Sequence, residues 1–292
     1  MKKIALILFA IVLALVVFNV YSTNSEQPVE VKKPTTETIE VSNSHITKGN
    51  LLLINKAHQV NEEALPTDLL TIADHPKEIV DFQVADSSIQ ISKKMLQAFQ
   101  LMIQDAKNDG VSHFIINSSY RSNEQQATLF QTKGEKYALP AGSSEHNLGM
   151  SMDIGSTLGL MENAKEGKWL AKNAVKYGFI LRYPSDKTAI TGIQYEAWHF
   201  RYVGIPHSYI MKNHDWVLEE YLDYLKTHNT LTETVLGTTY TVAYHKVNKT
   251  GKTTIDIPLN QTYLISGDND EGVIVTYWAK QQQDDQDSKK TK

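Results

Sequence analysis

The chain contains no cysteine among its 292 residues. Disulfide staples, thiolate metal ligands and a lipidated N-terminal cysteine are therefore excluded, and any metal ion must be held by histidine and carboxylate. There is no dominant block of Lys and Arg, and the formal net charge is −4. Phosphate backbones are bound by clustered cations, so nucleic acid is not an expected partner. No glycine-rich phosphate loop is present, and no S-x-x-K or G-x-S-x-G stretch stands out, which disfavours a serine mechanism. No internal repeat is apparent. What is present is ordinary globular composition, 41% hydrophobic and 21% charged, in a chain long enough for one sizeable core and something smaller.

Only one hydrophobic run is long. Lys2 and Lys3 precede IALILFAIVLALVVF, which continues through Asn19 to Tyr21, and this stretch of about 18 residues is near the ~17–25 that a bilayer-spanning helix needs. No A-x-A cleavage pattern follows it, so residues 1–22 are expected to form a retained anchor, with a cleaved signal peptide as the alternative. The basic residues precede the span, which puts the bulk of the chain outside the cytoplasm, at the cell membrane. Residues 23–47, rich in Thr, Ser, Glu and Lys, are expected to be a flexible stalk.

A main domain is expected over 48–228. LLLIN from Leu51 suggests a strand. ISKKMLQAFQLMIQDAKNDG is a helix, with Ser92 as N-cap, Met95, Phe99, Met102, Ile103 and Ala106 at helical spacing, and Gly110 as stop. HFIINSSY is a strand ending at Arg121, followed by the helix SNEQQATLFQTKG, whose Ser122 and Gln125 suit a capping box. GKWLAKNAVKYGF is a helix, FILR a strand, EAWHFRYVG a strand beginning near Trp198, and Pro206 to Lys226 a single closing helix. The fold class expected is α+β, with a mostly antiparallel central sheet and flanking helices. Residues 229–280 break into short β-rich pieces separated by Asn, Gly and Asp turns and are expected to form a small all-β domain. The polar tail 281–292 is expected to be disordered.

Two stretches carry candidate chemistry. SSEHNLGMSMD, half loop and half strand, places His146 seven residues before Asp153, with the small Gly149 and Ser151 between them. On residue types alone the ordinary reading of such a pair is polar surface or a satisfied core pair; a shared metal is the alternative. YEAWHFRYVG adds His199 as a third ligand. Three protein ligands with one open position are the catalytic arrangement for zinc, because a water in that position becomes acidic near neutrality. Such a site needs a carboxylate beside the water, and Glu196 is the candidate. Residues three apart in an ideal strand face opposite ways, so Glu196 must lie in a turn or bulge for both groups to reach one ion. The remaining histidines, such as His58, His75, His113 and His245, have no comparable partners.

SEHNLGMSMD resembles the S-x-H-x-x-G-x-A-x-D pattern, EAWH the E-x-W-H pattern, and SSYRSNEQQ the S-x-Y-R-S-x-x-x-Q segment of zinc D-alanyl-D-alanine peptidases of the VanX, VanY and LAS type. The three motifs occur in the right order across most of Phe114 to Gly204. The likeness is greatest to VanY-type D,D-carboxypeptidases, through GNLLLIN, VSHFIINSSYR, EGKWL, KYGFILRYP, DKT and TGIQYE. Ser151 departs from the pattern, which usually has Ala there. The resemblance implies the LAS or hedgehog-like peptidase fold. It also implies one catalytic Zn2+ on His146, Asp153 and His199, Glu196 as base, and Arg121 as the group that stabilises the oxyanion. Ser118, Gln126 and Ser144 are the implied substrate contacts, while Trp198 is expected to pack beneath the site. The implied activity removes the terminal D-Ala from peptidoglycan stem pentapeptides, the ending that glycopeptide antibiotics bind. An L,D-carboxypeptidase, a D,D-endopeptidase and a non-catalytic zinc-containing wall-binding protein are the alternatives; retention of Glu196 and Arg121 argues against the last.

Overall fold

Regular structure begins earlier than expected. In a computed structural model describing residues 35–280, Thr36–Ser42 forms strand β1 and Asn43–Ile46 a one-turn helix α1. Both lie in the segment assigned to the stalk. Their apolar residues are sparse, but Val41 and Ile46 are buried with Val247, Ile255, Ile257, Val273 and Val275 from the far end of the chain. The partner is distant in sequence, so local composition could not reveal it. The expected anchor (1–22), the first part of the stalk (23–34) and the tail (281–292) lie outside the described residues. Among the described residues no helix is long and apolar enough to cross a membrane.

LLLIN joins no sheet. The carbonyls of Asn50 and Leu52 accept hydrogen bonds from the Arg201 guanidinium at 3.0 and 2.9 Å. The Leu51 amide donates to Ser266 Oγ, and the Leu53 amide to the Asp268 carbonyl. Two side chains, Arg201 and Ser266, and one backbone carbonyl thus do what a neighbouring strand would otherwise do for these backbone groups.

Strands β2 (Leu69–Thr71), β3 (Gln83–Val84) and β4 (Gln90–Ser92) lead into helix α2 (Lys93–Asn108). Ser92 caps α2 by accepting from the Met95 amide, and all five expected apolar positions are buried. After β5 (Phe114–Ser118), helix α3 (Asn123–Lys133) starts at the expected Ser122–Gln125 capping box. Helix α4 (Glu145–Leu148), β6 (Ser151–Ser156), α5 (Lys165–Asn173), β7 (Phe179–Leu181), α6 (Thr188–Thr191) and β8 (His199–Tyr202) follow. The central sheet has the order β3-β5-β6-β8-β7, antiparallel throughout except for the β3–β5 pair. Met95, Phe99 and Met102 of α2 pack with Phe114, Ile116, Ile154 and Phe200 of the sheet. This is the α+β architecture expected.

The single helix expected after Pro206 is two, α7 (His207–His214) and α8 (Leu218–His228). Asp215 adopts a left-handed conformation with φ 55°, and the Trp216 amide turns back onto the Met211 carbonyl, which closes α7 with a Schellman-type cap. Strands β9 (Thr230–Val235), β10 (Thr238–Lys246), β11 (Lys252–Pro258), β12 (Gln261–Gly267) and β13 (Gly272–Ala279) complete the fold. Four of them form an antiparallel sheet ordered β12-β13-β10-β9, and β11 leaves it to pair with β1. The expected β-rich segment is not a free-standing domain. Val235, Val242, Tyr244 and Ile274 share one apolar cluster with Leu51, Ile180, Val203, Leu218, Leu222 and Leu225. The apolar stripe of α8 is what joins them.

Candidate metal centre

Asp153 and His199 are register partners on the neighbouring strands β6 and β8, so their side chains leave the same face of the sheet. His146 arrives from α4, a single helical turn where a loop was expected. Ser144 Oγ accepts from the His146 amide at the start of that turn. Gly149 ends it in the left-handed region, at φ 69° and ψ 20°. A Cβ on Gly149 would lie 2.9 Å from Pro66 Cγ, so both conformation and space call for glycine.

The three side chains converge. His146 Nε2 lies 3.3 Å from Asp153 Oδ2, and His199 Nδ1 lies 3.1 Å from Asp153 Oδ1. One donor atom from each of the three residues falls within 4.8 Å of the other two. A tetrahedral zinc with bonds of ~2.0–2.1 Å sets its ligand atoms about 3.3 Å apart. The outward nitrogens are already committed. His146 Nδ1 meets the Ser119 carbonyl at 2.6 Å, and His199 Nε2 meets Glu145 Oε2 at 3.3 Å. Both partners only accept, so these nitrogens carry the hydrogens and His146 Nε2 and His199 Nδ1 are turned inward.

The electrostatics favour a cation. His146 Nε2 is buried and has no hydrogen-bond partner. Burial lowers the His146 pKa, which keeps the ring neutral as a ligand requires. Burial alone would raise the Asp153 pKa, but the two imidazoles beside it hold it well below the usual carboxylate range. Burial also opposes charge on His199, yet its hydrogen bonds to Asp153 and Glu145 prevail and raise it to about 9. A proton is thus retained where a metal ion would supply the positive charge. The residues present fit zinc.

Glu196 sits in a turn before β8, as the metal reading required. The His199 amide bonds back to the Glu196 carbonyl, and the Glu196 amide donates to Tyr183. Its Oε2 is 3.7 Å from His199 Nδ1, on the inward side. Burial raises its pKa. Arg121 follows β5, and its amide donates to the His146 carbonyl. Its Nη2 is 3.8 Å from Asp153 Oδ2, and its Nη1 donates to Gln126 Oε1 at 2.8 Å. Gln126 Nε2 in turn donates to the Leu139 carbonyl. Gln126 therefore braces Arg121, and Ser144 caps α4, while Ser118 lies beside Asp153 in the β5–β6 ladder. Trp198 does not pack beneath the site. The Glu196–His199 turn leaves it 42% exposed.

Four polar residues around the site escaped sequence reasoning. Buried Asn147 donates to the Arg121 carbonyl and accepts from the Gly142 amide, tying two loops to α4. Glu145 is wholly buried, and its Oε1 accepts from Arg182 Nε at 2.8 Å and Arg201 Nη1 at 2.7 Å. The signal was an arginine in each of the apolar strand segments FILR and HFRY. A charge in a buried strand requires a partner.

A His-Asp-His set with both histidines buried and the aspartate half-buried, with a carboxylate on its inward side and a guanidinium across it, defines a metallocarboxypeptidase-type centre. Residues 88–205 match the family model described as VanY, D-alanyl-D-alanine carboxypeptidase. The chain is 49% identical over 261 residues to a D-alanyl-D-alanine carboxypeptidase of Enterococcus faecium, covering 89% of this chain and 86% of the relative. It is 31% identical over 194 residues to a bifunctional D-Ala-D-Ala dipeptidase and carboxypeptidase of Enterococcus gallinarum, covering 61% of this chain and 95% of that one. Among solved structures, the vancomycin resistance D,D-dipeptidase VanXYg in complex with a D-Ala-D-Ala phosphinate analogue superposes with a TM-score of 0.72 at 31% identity, covering 84% of this chain and 99% of that one. The chain belongs to the VanY family of D-alanyl-D-alanine carboxypeptidases.

Proposed function

We propose that this protein is a zinc D,D-carboxypeptidase that hydrolyses the terminal D-Ala-D-Ala bond of peptidoglycan stem pentapeptides and contributes to glycopeptide resistance. The observation that carries this reading is the convergence of His146 Nε2, Asp153 and His199 Nδ1, with the Glu196 carboxylate beside them. When bound, zinc supplies a Lewis acid and brings the pKa of a water to about 7. Glu196 takes a proton from the attacking water and returns it to the departing D-Ala nitrogen; its raised pKa suits both halves of that exchange. Arg121, braced by Gln126, offers its guanidinium to the oxygen that becomes negative as the carbonyl is attacked. Ser118, the register partner of Asp153, is the candidate substrate contact, whereas Gln126 and Ser144 act through Arg121 and the α4 cap. No covalent intermediate on the protein is needed.

The N-terminal apolar run supports placing the protein at the cell membrane, with a single span and its catalytic part outside the cytoplasm. Fractionation of expressing cells tests that placement. The activity is tested by incubating the full-length protein with stem pentapeptide and tetrapeptide and measuring released D-Ala. Release from the pentapeptide alone, abolished by a chelator and restored by zinc, is expected. Release from the tetrapeptide alone would move the assignment to L,D-cleavage, and chelator-insensitive release would contradict the metal mechanism.

A further inference from the structure

We propose that Glu145 is a positioning residue that fixes which nitrogen of His199 faces the metal, and that Arg182 and Arg201 lock it to the C-terminal part of the chain. This rests on the assignment of His146, Asp153 and His199 as metal ligands. A ligating imidazole is oriented by the hydrogen bond its other nitrogen makes, most strongly when the acceptor is a carboxylate. Glu145 Oε2 is that acceptor for His199 Nε2. Its second oxygen takes one bond from each arginine, and all three side chains are buried to within 1% of full exclusion.

Removing three charges from water contributes little net stability even when they are well paired. Their geometry instead specifies one arrangement. Arg182 extends beyond Glu145 to grip both carboxylate oxygens of Glu219 on α8, at 2.8 and 2.7 Å. Arg201 extends to the carbonyls of Asn50 and Leu52. That segment is itself held by Ser266 in β12 and by the Asp268 carbonyl in the turn before β13. Glu145 is thereby clamped from two sides, by α8 and by the segment that the C-terminal sheet fixes.

The test uses the full-length protein loaded with zinc and 15N-labelled at histidine. In the wild type, His199 is expected to carry its hydrogen on Nε2 and none on Nδ1; the reverse pattern would overturn the proposal without any variant. Two substitutions extend the test. E145D keeps the charge but is too short to span from the arginines to His199, and R201K loses the fork. Each is expected to keep the wild-type circular dichroism, to weaken zinc binding ~10–100-fold in chelator competition, and to change the visible spectrum of the cobalt-substituted protein. Folded E145D with wild-type zinc affinity and cobalt spectrum would refute the proposal. H199A separates the two levels: zinc bound as tightly there as in the wild type would remove the ligand assignment itself.

Discussion

Replacing Gly149 by alanine perturbs the link between two of the proposed ligands. Gly149 has φ 69°, a conformation in which an alanine costs ~1–2 kcal/mol. The new Cβ would also stand 2.9 Å from Pro66 Cγ and 3.1 Å from Pro66 Cβ. Overpacking of this kind typically costs ~1–3 kcal/mol, so the sum is about 2–5 kcal/mol. Gly192 provides the control. It has nearly the same φ, 70°, but open space around its Cβ, so G192A should cost only the conformational part. Urea unfolding of G149A, G192A, P66A and the G149A/P66A double variant measures the difference. P66A removes the atom at 2.9 Å, so the pair should recover ~1 kcal/mol relative to additivity. Because the turn at Gly149 sets His146 against Asp153, G149A should also bind zinc more weakly. A G149A variant no less stable than G192A, with no coupling to P66A, would refute the reasoning.

Arg121→Ala should lower kcat ~10²–10³-fold, the usual loss for one oxyanion donor, while chelator competition shows zinc still bound. His207 is buried between Tyr221 Oη and Thr276 Oγ1, and burial pushes its pKa from 6.5 down to about 3. The unfolded chain therefore takes up a proton that the folded chain refuses. Stability is unaffected above pH 6.5 and falls by up to about 1.4 kcal/mol per pH unit between 6.5 and 3; His207→Gln should flatten that slope in melting curves. Truncation after His228 removes Val235, Val242, Tyr244 and Ile274 from the cluster around α8. At ~1.5–3 kcal/mol each, these four side chains rival the whole stability of a typical domain. The truncated protein should give no cooperative melting transition, and a wild-type transition would contradict the shared core.

Where the sequence was informative, the signals were local. Ser92 and the Ser122–Gln125 box mark helix starts through bonds within one turn. The five apolar positions of α2 record its buried face directly. The His146, Asp153 and His199 cluster is legible because each of its motifs is short and keeps its order, even though the site joins α4, β6 and β8 in space. What escaped depends on partners far along the chain. β1 falls in the segment whose composition reads as stalk, because its partner β11 follows the catalytic region. LLLIN reads as a strand because nothing local shows that Arg201 occupies the Asn50 and Leu52 carbonyls. The break at Asp215 lies within an apolar pattern that continues across it, so periodicity joined α7 to α8. Glu145 reads in the sequence as the polar neighbour of a histidine, although its two arginines stand in apolar strand segments.

The most direct measurement on the central claim is Glu196→Gln. Glutamine keeps the size of the side chain and cannot take a proton from water, and Glu196 is not among the three proposed metal ligands. The account predicts one zinc bound with near wild-type affinity and D-Ala release from stem pentapeptide reduced to background. Full turnover by the zinc-loaded variant would contradict it.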